Sequence, residues 1–146
     1  MQAKHGKMIQ RIQSLYMALV VVFSLVTYFF VPIWVHEDLG IMADEAKGFP
    51  AIIGLIIALT LFSLLQYKKR KAQFVVNRVV ILLNFTWMVL VILPAYTEFS
   101  ILDLEYSPVE IANGGISPLI NIVLLVFANR GIRRDENLIK SIDRLR

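Results

Sequence analysis

The run Lys68-Lys69-Arg70-Lys71 separates two long apolar stretches. It cannot enter hydrocarbon, because each cation costs several kcal/mol near the centre of a bilayer. The chain on either side must therefore turn back on one water-facing side. The pattern recurs: apolar stretches at about 15–34, 50–67, 77–97 and 116–130 are divided by charged connections. With 58% of 146 residues hydrophobic, the chain is more apolar than a soluble domain of this length requires. A helix of about 20 apolar residues crosses roughly 30 Å of hydrocarbon, so the pattern predicts four spans in a single membrane domain.

The cations set the orientation. Every lysine and arginine except Lys47 falls before the first stretch, in the central turn with Arg78, or after the fourth stretch. The two remaining connections are acidic, carrying Glu37, Asp38, Asp44 and Glu45 in one and Glu98, Asp103, Glu105 and Glu110 in the other. By the positive-inside rule both termini and the basic turn are cytoplasmic. The predicted fold is all-α, an integral membrane four-helix bundle of two antiparallel hairpins, N-in and C-in, with a C-terminal cytoplasmic amphipathic helix over 131–146.

The first stretch follows Lys4, Lys7 and Arg11, as a secretory signal would, but it is longer than a signal h-region and lacks a small-x-small cleavage pattern. An uncleaved span is expected, with Met8 an alternative start. Pro50 opens the second stretch, and Gln73, Asn77 and Arg78 lead into the third from the headgroup region. The fourth is the weakest, interrupted by Pro118 and Asn121; it crosses if Arg130 snorkels, and a re-entrant segment is the alternative. Tyr28, Phe29, Phe30, Trp34, Tyr96 and Phe99 crowd the outer ends, with Tyr16 and Tyr67 at the inner ends, and read as interfacial belts. In the tail, Leu138, Ile139, Ile142 and Leu145 share one helix face, with Arg134, Lys140, Arg144 and Arg146 supplying positive charge, which suits a membrane surface, a bundle cap or a docking helix.

Three segments carry a family resemblance: Met8-Ile9-Gln10-Arg11-Ile12-Gln13-Ser14-Leu15-Tyr16, Lys68-Lys69-Arg70-Lys71-Ala72-Gln73 with Asn77-Arg78, and Ala128-Asn129-Arg130-Gly131-Ile132-Arg133-Arg134-Asp135-Glu136 with Ser141-Ile142-Asp143-Arg144-Leu145-Arg146. The chain from Met8 onward resembles an uncharacterised family of small four-span membrane proteins of Bacteroidota, a domain of unknown function. The resemblance implies the inner membrane and a four-helix architecture, and it implies no activity.

The chemistry of known membrane four-helix proteins is missing. There is no cysteine, which removes disulfide exchange, thiolate catalysis and iron–sulfur ligation. His5 and His36 lie outside the spans, where haem ligation is not expected. No acid falls within an assigned span, which argues against proton-coupled export. Ser24, Thr27, Thr60, Ser63, Asn84, Thr86 and Asn121 are the polar residues at depth, and their ordinary role is hydrogen bonding between helices. No catalytic residue, cofactor or metal site is expected.

The expected function is that of a non-catalytic accessory or assembly subunit of an inner-membrane protein complex. Its interaction residues would be Lys68, Lys69, Arg70, Lys71, Arg130, Arg133, Arg134, Leu138 and Ile142. The alternative is a small oligomeric transporter or a lipid or hydrophobic-ligand binder using the intramembrane polar pair Asn84 and Asn121. An enzyme would have only the outer carboxylates Glu37, Asp38, Asp103 and Glu105 to work with. Expected partners are the lipid bilayer and other inner-membrane proteins, with a homo-oligomer left open. The basic turn, lying beside two spans, reads as an orientation signal and headgroup contact, not a nucleic-acid site.

Overall fold

The computed structural model describes residues 2–36, 38–67, 69–96 and 110–143, with side chains for these except 2–11, 94, 138–140 and 142–143. Four helices dominate: α1 (Gln2–Phe30), α2 (Phe49–Leu65), α3 (Arg70–Tyr96) and α4 (Ser117–Asp143). They form a ring in which α1 and α3 each pack against both α2 and α4, most extensively where α1 meets α4.

The buried positions follow one rule. In α1 they are Gln13, Met17, Val20, Ser24 and Thr27; in α2, Phe49, Ile53, Ile56, Thr60 and Ser63; in α3, Gln73, Asn77, Val80, Asn84, Trp87 and Val91. Each series alternates steps of four and three residues, a heptad seam that keeps one face turned to the bundle axis and favours left-handed supercoiling. In α4 the series is Ser117, Asn121, Leu125, Ala128, Ile132 and Asp135. Opposite the seams the surface is apolar, with Phe23, Val26, Phe62, Leu82, Phe85 and Val123 all exposed. Amides inside and aliphatic or aromatic side chains outside reverse the arrangement of a soluble bundle, and suit a hydrocarbon solvent.

Among the described residues, three segments are long and apolar enough to cross a membrane: Ile12–Phe30, Arg70–Leu93 and Asn113–Asn137. The fourth stretch has the lowest mean hydropathy of the three, 1.5, but it is longer than the 116–130 expected for it. Pro118 sits in the first turn of α4, and the helix then runs unbroken through Gly131 to Asp143, so the tail continues it instead of forming a separate surface helix. Gly131 survives in the helix interior because α1 leaves no room for a side chain: a Cβ there would meet Gln13 Cγ at 2.7 Å. The shortest apolar helix is α2, whose 17 residues rise about 26 Å. It starts after Gly48, which takes a left-handed φ of 90°, and has Pro50 in its first turn.

At the end of the bundle away from the basic turn the structure departs from a purely α-helical fold. β1 (Trp34–His36) pairs antiparallel with β2 (Leu39–Ile41) and with β3 (Glu110–Ile111), giving the order β2-β1-β3. The register sets Trp34 opposite both Ile41 and Ile111. Two connections that read as separate acidic loops are thus joined. Asp38 supplies the left-handed turn residue, φ 68°, without the Asn-Gly or Asp-Gly pair that marks most two-residue hairpins. The chain before α4 closes onto the same place: Gly114 N–H donates to Pro32 O at 2.9 Å, and a Cβ on Gly114 would lie 2.5 Å from that oxygen.

Trp34 is correspondingly not a belt residue. It is fully buried, its ring packs edge-on to Phe49 with centroids 4.9 Å apart, and its Nε1 donates to Val91 O at 2.9 Å. Phe29, Phe30, Tyr67 and Tyr96 are exposed, as a belt requires. Trp34→Ala should lower stability by about 3–5 kcal/mol through the cavity it leaves. Trp34→Phe should cost about 1–2 kcal/mol through the lost hydrogen bond and smaller ring. Melting temperatures of the detergent-solubilised variants, followed by circular dichroism, check both, and unchanged melting of Trp34→Ala would contradict its place in the core.

Candidate functional site

The seams bring polar side chains from all four helices into two layers. In the inner layer Gln13 Nε2 donates to Asp135 Oδ2 at 3.1 Å, joining α1 to α4. Asn77 Nδ2 donates to Asn129 Oδ1 at 3.1 Å, joining α3 to α4, and Ser63 Oγ donates to Asn77 Oδ1 at 2.7 Å, joining α2 to α3. Met17 Sδ faces this layer, 3.3 Å from Gln73 Nε2 and 3.8 Å from Asn77 Nδ2. Asn77 is the hub, since its one amide reaches two other helices.

The middle layer is built on Asn121, whose Nδ2 donates to Ser24 Oγ at 3.0 Å and to Asn84 Oδ1 at 3.2 Å. Asn84 Nδ2 is in turn bonded to Val80 O at 2.8 Å, and Thr60 Oγ1 to Ile56 O at 2.7 Å. The pairings 77 with 129 and 84 with 121 run in opposite directions along α3 and α4, so the side-chain bonds themselves record antiparallel packing. In this layer and the next turn beyond it, three buried atoms have no hydrogen-bond partner: Asn121 Oδ1, Trp87 Nε1 and Ser117 Oγ. Trp87 lies one turn beyond Asn84, and Ser117 one turn beyond Asn121 on the antiparallel helix.

Asn84 and Asn121, expected from sequence as interhelical or path-lining residues, are thus bonded directly to each other. Sequence reasoning missed Gln13, Gln73, Asn77, Asn129 and Asp135. Gln73 and Asn77 were expected among the headgroups, yet both are buried in the seam. Asp135 lies beyond the 116–130 stretch assigned from sequence, yet it is only 5% exposed, within a helix longer than the one expected. The available signal was periodicity, since Gln73, Asn77 and Asn84 share one stripe.

The second cluster is basic. Arg130, Arg133 and Arg134 are exposed on α4 and, with Asn137 and Ser141, line an open groove of about 520 Å³. The Arg133 guanidinium lies over the Phe74 ring, 4.9 Å from its centroid, and Arg78 lies over the same ring at 4.4 Å. The α3 end of the basic turn therefore stands beside the α4 arginines. Lys69 and Lys71 are exposed, while Arg70 is half-buried with Nη1 unpartnered. Lys68 and the side chains of Leu138 and Ile142 lie outside the described residues, as do Glu37, Asp103 and Glu105. Among the described residues no group of three or more His, Cys, Asp or Glu is placed to hold a metal ion.

If the polar layers hold the helices together, Asn77→Leu should destabilise most. It strands the Asn129 Oδ1 acceptor and leaves Ser63 Oγ only its 3.4 Å bond to Gln73 O, and a buried group left unpaired costs about 1–3 kcal/mol. Thr86→Val, which removes only an exposed bond to Leu82 O on the same helix, should be close to neutral. Unfolding in mixed micelles by a denaturing detergent ranks the two, and equal stabilities would remove the inner layer as a source of cohesion.

Neither curated proteins nor solved structures give a match to the chain. Residues 9–145 match the profile described as Domain of unknown function (DUF4293), which spans nearly the whole polar seam and the arginine face, and the chain belongs to that family.

Proposed function

We propose that the protein is a four-span protein of the bacterial inner membrane, with both termini and the basic turn in the cytoplasm. It acts there as a non-catalytic accessory or assembly subunit of a membrane protein complex. The observation that carries this reading is the division of labour between the two faces of each helix. The interior amides pair with one another across helices and close the bundle on itself, whereas the outward faces are continuous apolar surface. Such faces pack equally well against lipid or against the helices of another membrane protein. The α2 helix, shorter than its neighbours, is the natural place for a lateral partner, because a short span is relieved by association as well as by bilayer thinning.

A second reading, a small oligomeric transporter or hydrophobic-ligand binder, is favoured by one feature. Asn121 Oδ1, Trp87 Nε1 and Ser117 Oγ are buried without a hydrogen-bond partner, all on residues within one turn of the Asn84–Asn121 bond along α3 and α4, and a small polar group could satisfy them.

Orientation is tested with single cysteines at Asp44 and Lys69, exposed positions at opposite ends of the bundle, in a chain with no native cysteine. A membrane-impermeant maleimide should label Asp44→Cys in spheroplasts and Lys69→Cys only after lysis; labelling of both from one side overturns the topology. For the subunit reading, purification from native membranes in mild detergent should recover defined, stoichiometric membrane partners. Recovery of the chain alone or only as a homo-oligomer counts against it. Solute efflux from liposomes that is unchanged in Asn84→Leu/Asn121→Leu would sink the transport reading for those residues.

A further inference from the structure

The basic groove on α4 has the chemistry and the position of a lipid site. Arg130, Arg134, Asn137 and Ser141 follow one another at steps of four, three and four, one stripe of the helix, and Arg133 flanks it. Directly outward along the same helix the exposed surface becomes apolar, at Phe127, Val126 and Val123. Arg134 lies about 16 Å from Val123 along the axis. Cationic head positions below and an aliphatic and aromatic strip above match an amphiphile lying along the helix, with its phosphate at the water interface and its chains in hydrocarbon.

Local charge supports the same occupant. Asp135, the acid within the arginine run, is turned into the bundle and accepts from Gln13, so it does not face the groove. Phe74 holds the guanidiniums of Arg133 and Arg78 over one ring, which orients two planar cations from different helices without neutralising either. Oriented guanidiniums bind phosphate oxygens through paired N–H donors.

We propose that Arg130, Arg133 and Arg134, with Arg78 positioned by Phe74, form a binding site for the phosphate of an anionic phospholipid in the adjacent leaflet. The site rests on the membrane reading above. Insertion is therefore measured separately, by flotation of vesicles after an alkaline carbonate wash; failure to float rejects the membrane reading and this site with it, whereas the lipid measurement on inserted protein addresses the site alone.

The experiment is native mass spectrometry of the full chain in mild detergent, with phosphatidylglycerol, phosphatidylcholine or sn-glycerol 1-phosphate added. Phosphatidylglycerol should be retained in preference to phosphatidylcholine, and glycerol phosphate should not displace it. Each Arg→Gln change at 130, 133 and 134 should reduce retention about fivefold. Phe74→Leu should give a smaller loss, and Arg133→Lys a value between wild type and Arg133→Gln. A Lys4→Gln/Lys7→Gln variant, which removes charge elsewhere on the same side, should retain the lipid fully. Equal retention of the two lipids, an unaffected triple Arg→Gln variant, or an equal loss in the Lys4/Lys7 variant would each overturn the site, the last by showing only diffuse charge. Displacement by glycerol phosphate at comparable concentration would overturn the lipid in favour of a free phosphate.

Discussion

An amide carried into the interior of a membrane bundle must find another polar group there, because neither water nor lipid tails will satisfy it. That requirement organises this protein. Asn77 reaches Ser63 and Asn129, Asn121 reaches Ser24 and Asn84, and Gln13 reaches Asp135. Each bond is worth about 1 kcal/mol, which is little beside the dispersion energy of four packed helices. Their larger effect is on register. Sliding α4 by one heptad against α3 would leave hydrocarbon-facing and seam-facing positions unchanged but separate Asn129 from Asn77 and Asn121 from Asn84. Aliphatic seams tolerate such a slip, and seams carrying matched amides at two depths do not.

Strand pairing and close approach complete what the amides begin. At the end away from the basic turn, β1 ties the connection after α1 to the segment before α4, and Trp34 fills the space beneath with its Nε1 anchored on α3. Toward the inner end, Gly131 lets α4 lie against Gln13 with no intervening side chain. Glycine inside a helix costs about 1 kcal/mol of intrinsic propensity. The Gln13–Asp135 bond lies one turn from Gly131 along α4 and draws on the approach that this glycine permits. The two helices most distant in sequence thus form the most extensive contact in the ring.

Much of this was legible in the chain. The helices are announced by apolar runs, three of them long enough to cross a membrane among the described residues, and the turns by the basic run and by Gly48-Phe49-Pro50. Three things were not. The sheet was hidden because its strands are two or three residues long and its tightest turn uses Asp38 in place of glycine. Trp34 looked interfacial because composition marks a tryptophan near a span end without saying which way it points. Gln73 and Asn77 were assigned to the headgroups and Asp135 to the tail because hydropathy averages over all faces of a helix. A polar residue on a heptad stripe lowers that average as much as one facing lipid, and only the phase, steps of four and three carried past the apolar limits, distinguishes a buried amide from a headgroup contact.

The same phase connects the interior to the surface. Successive residues of a helix are separated by about 100°, so fixing the direction of one side chain fixes its neighbours. Asp135 is held inward by Gln13, and this sets the rotation of α4 over its last turns. Arg134 and Arg133 must then face outward, and Arg130, one turn earlier, falls on the same exposed side. Arg133 reaches Phe74 from that position, which also aligns α4 with the start of α3. A single buried carboxylate thus separates the charges of the run Arg133-Arg134-Asp135 into an acid inside and a basic face outside. Without that inward anchor the acid would lie among the arginines and neutralise the surface that the rest of the helix presents.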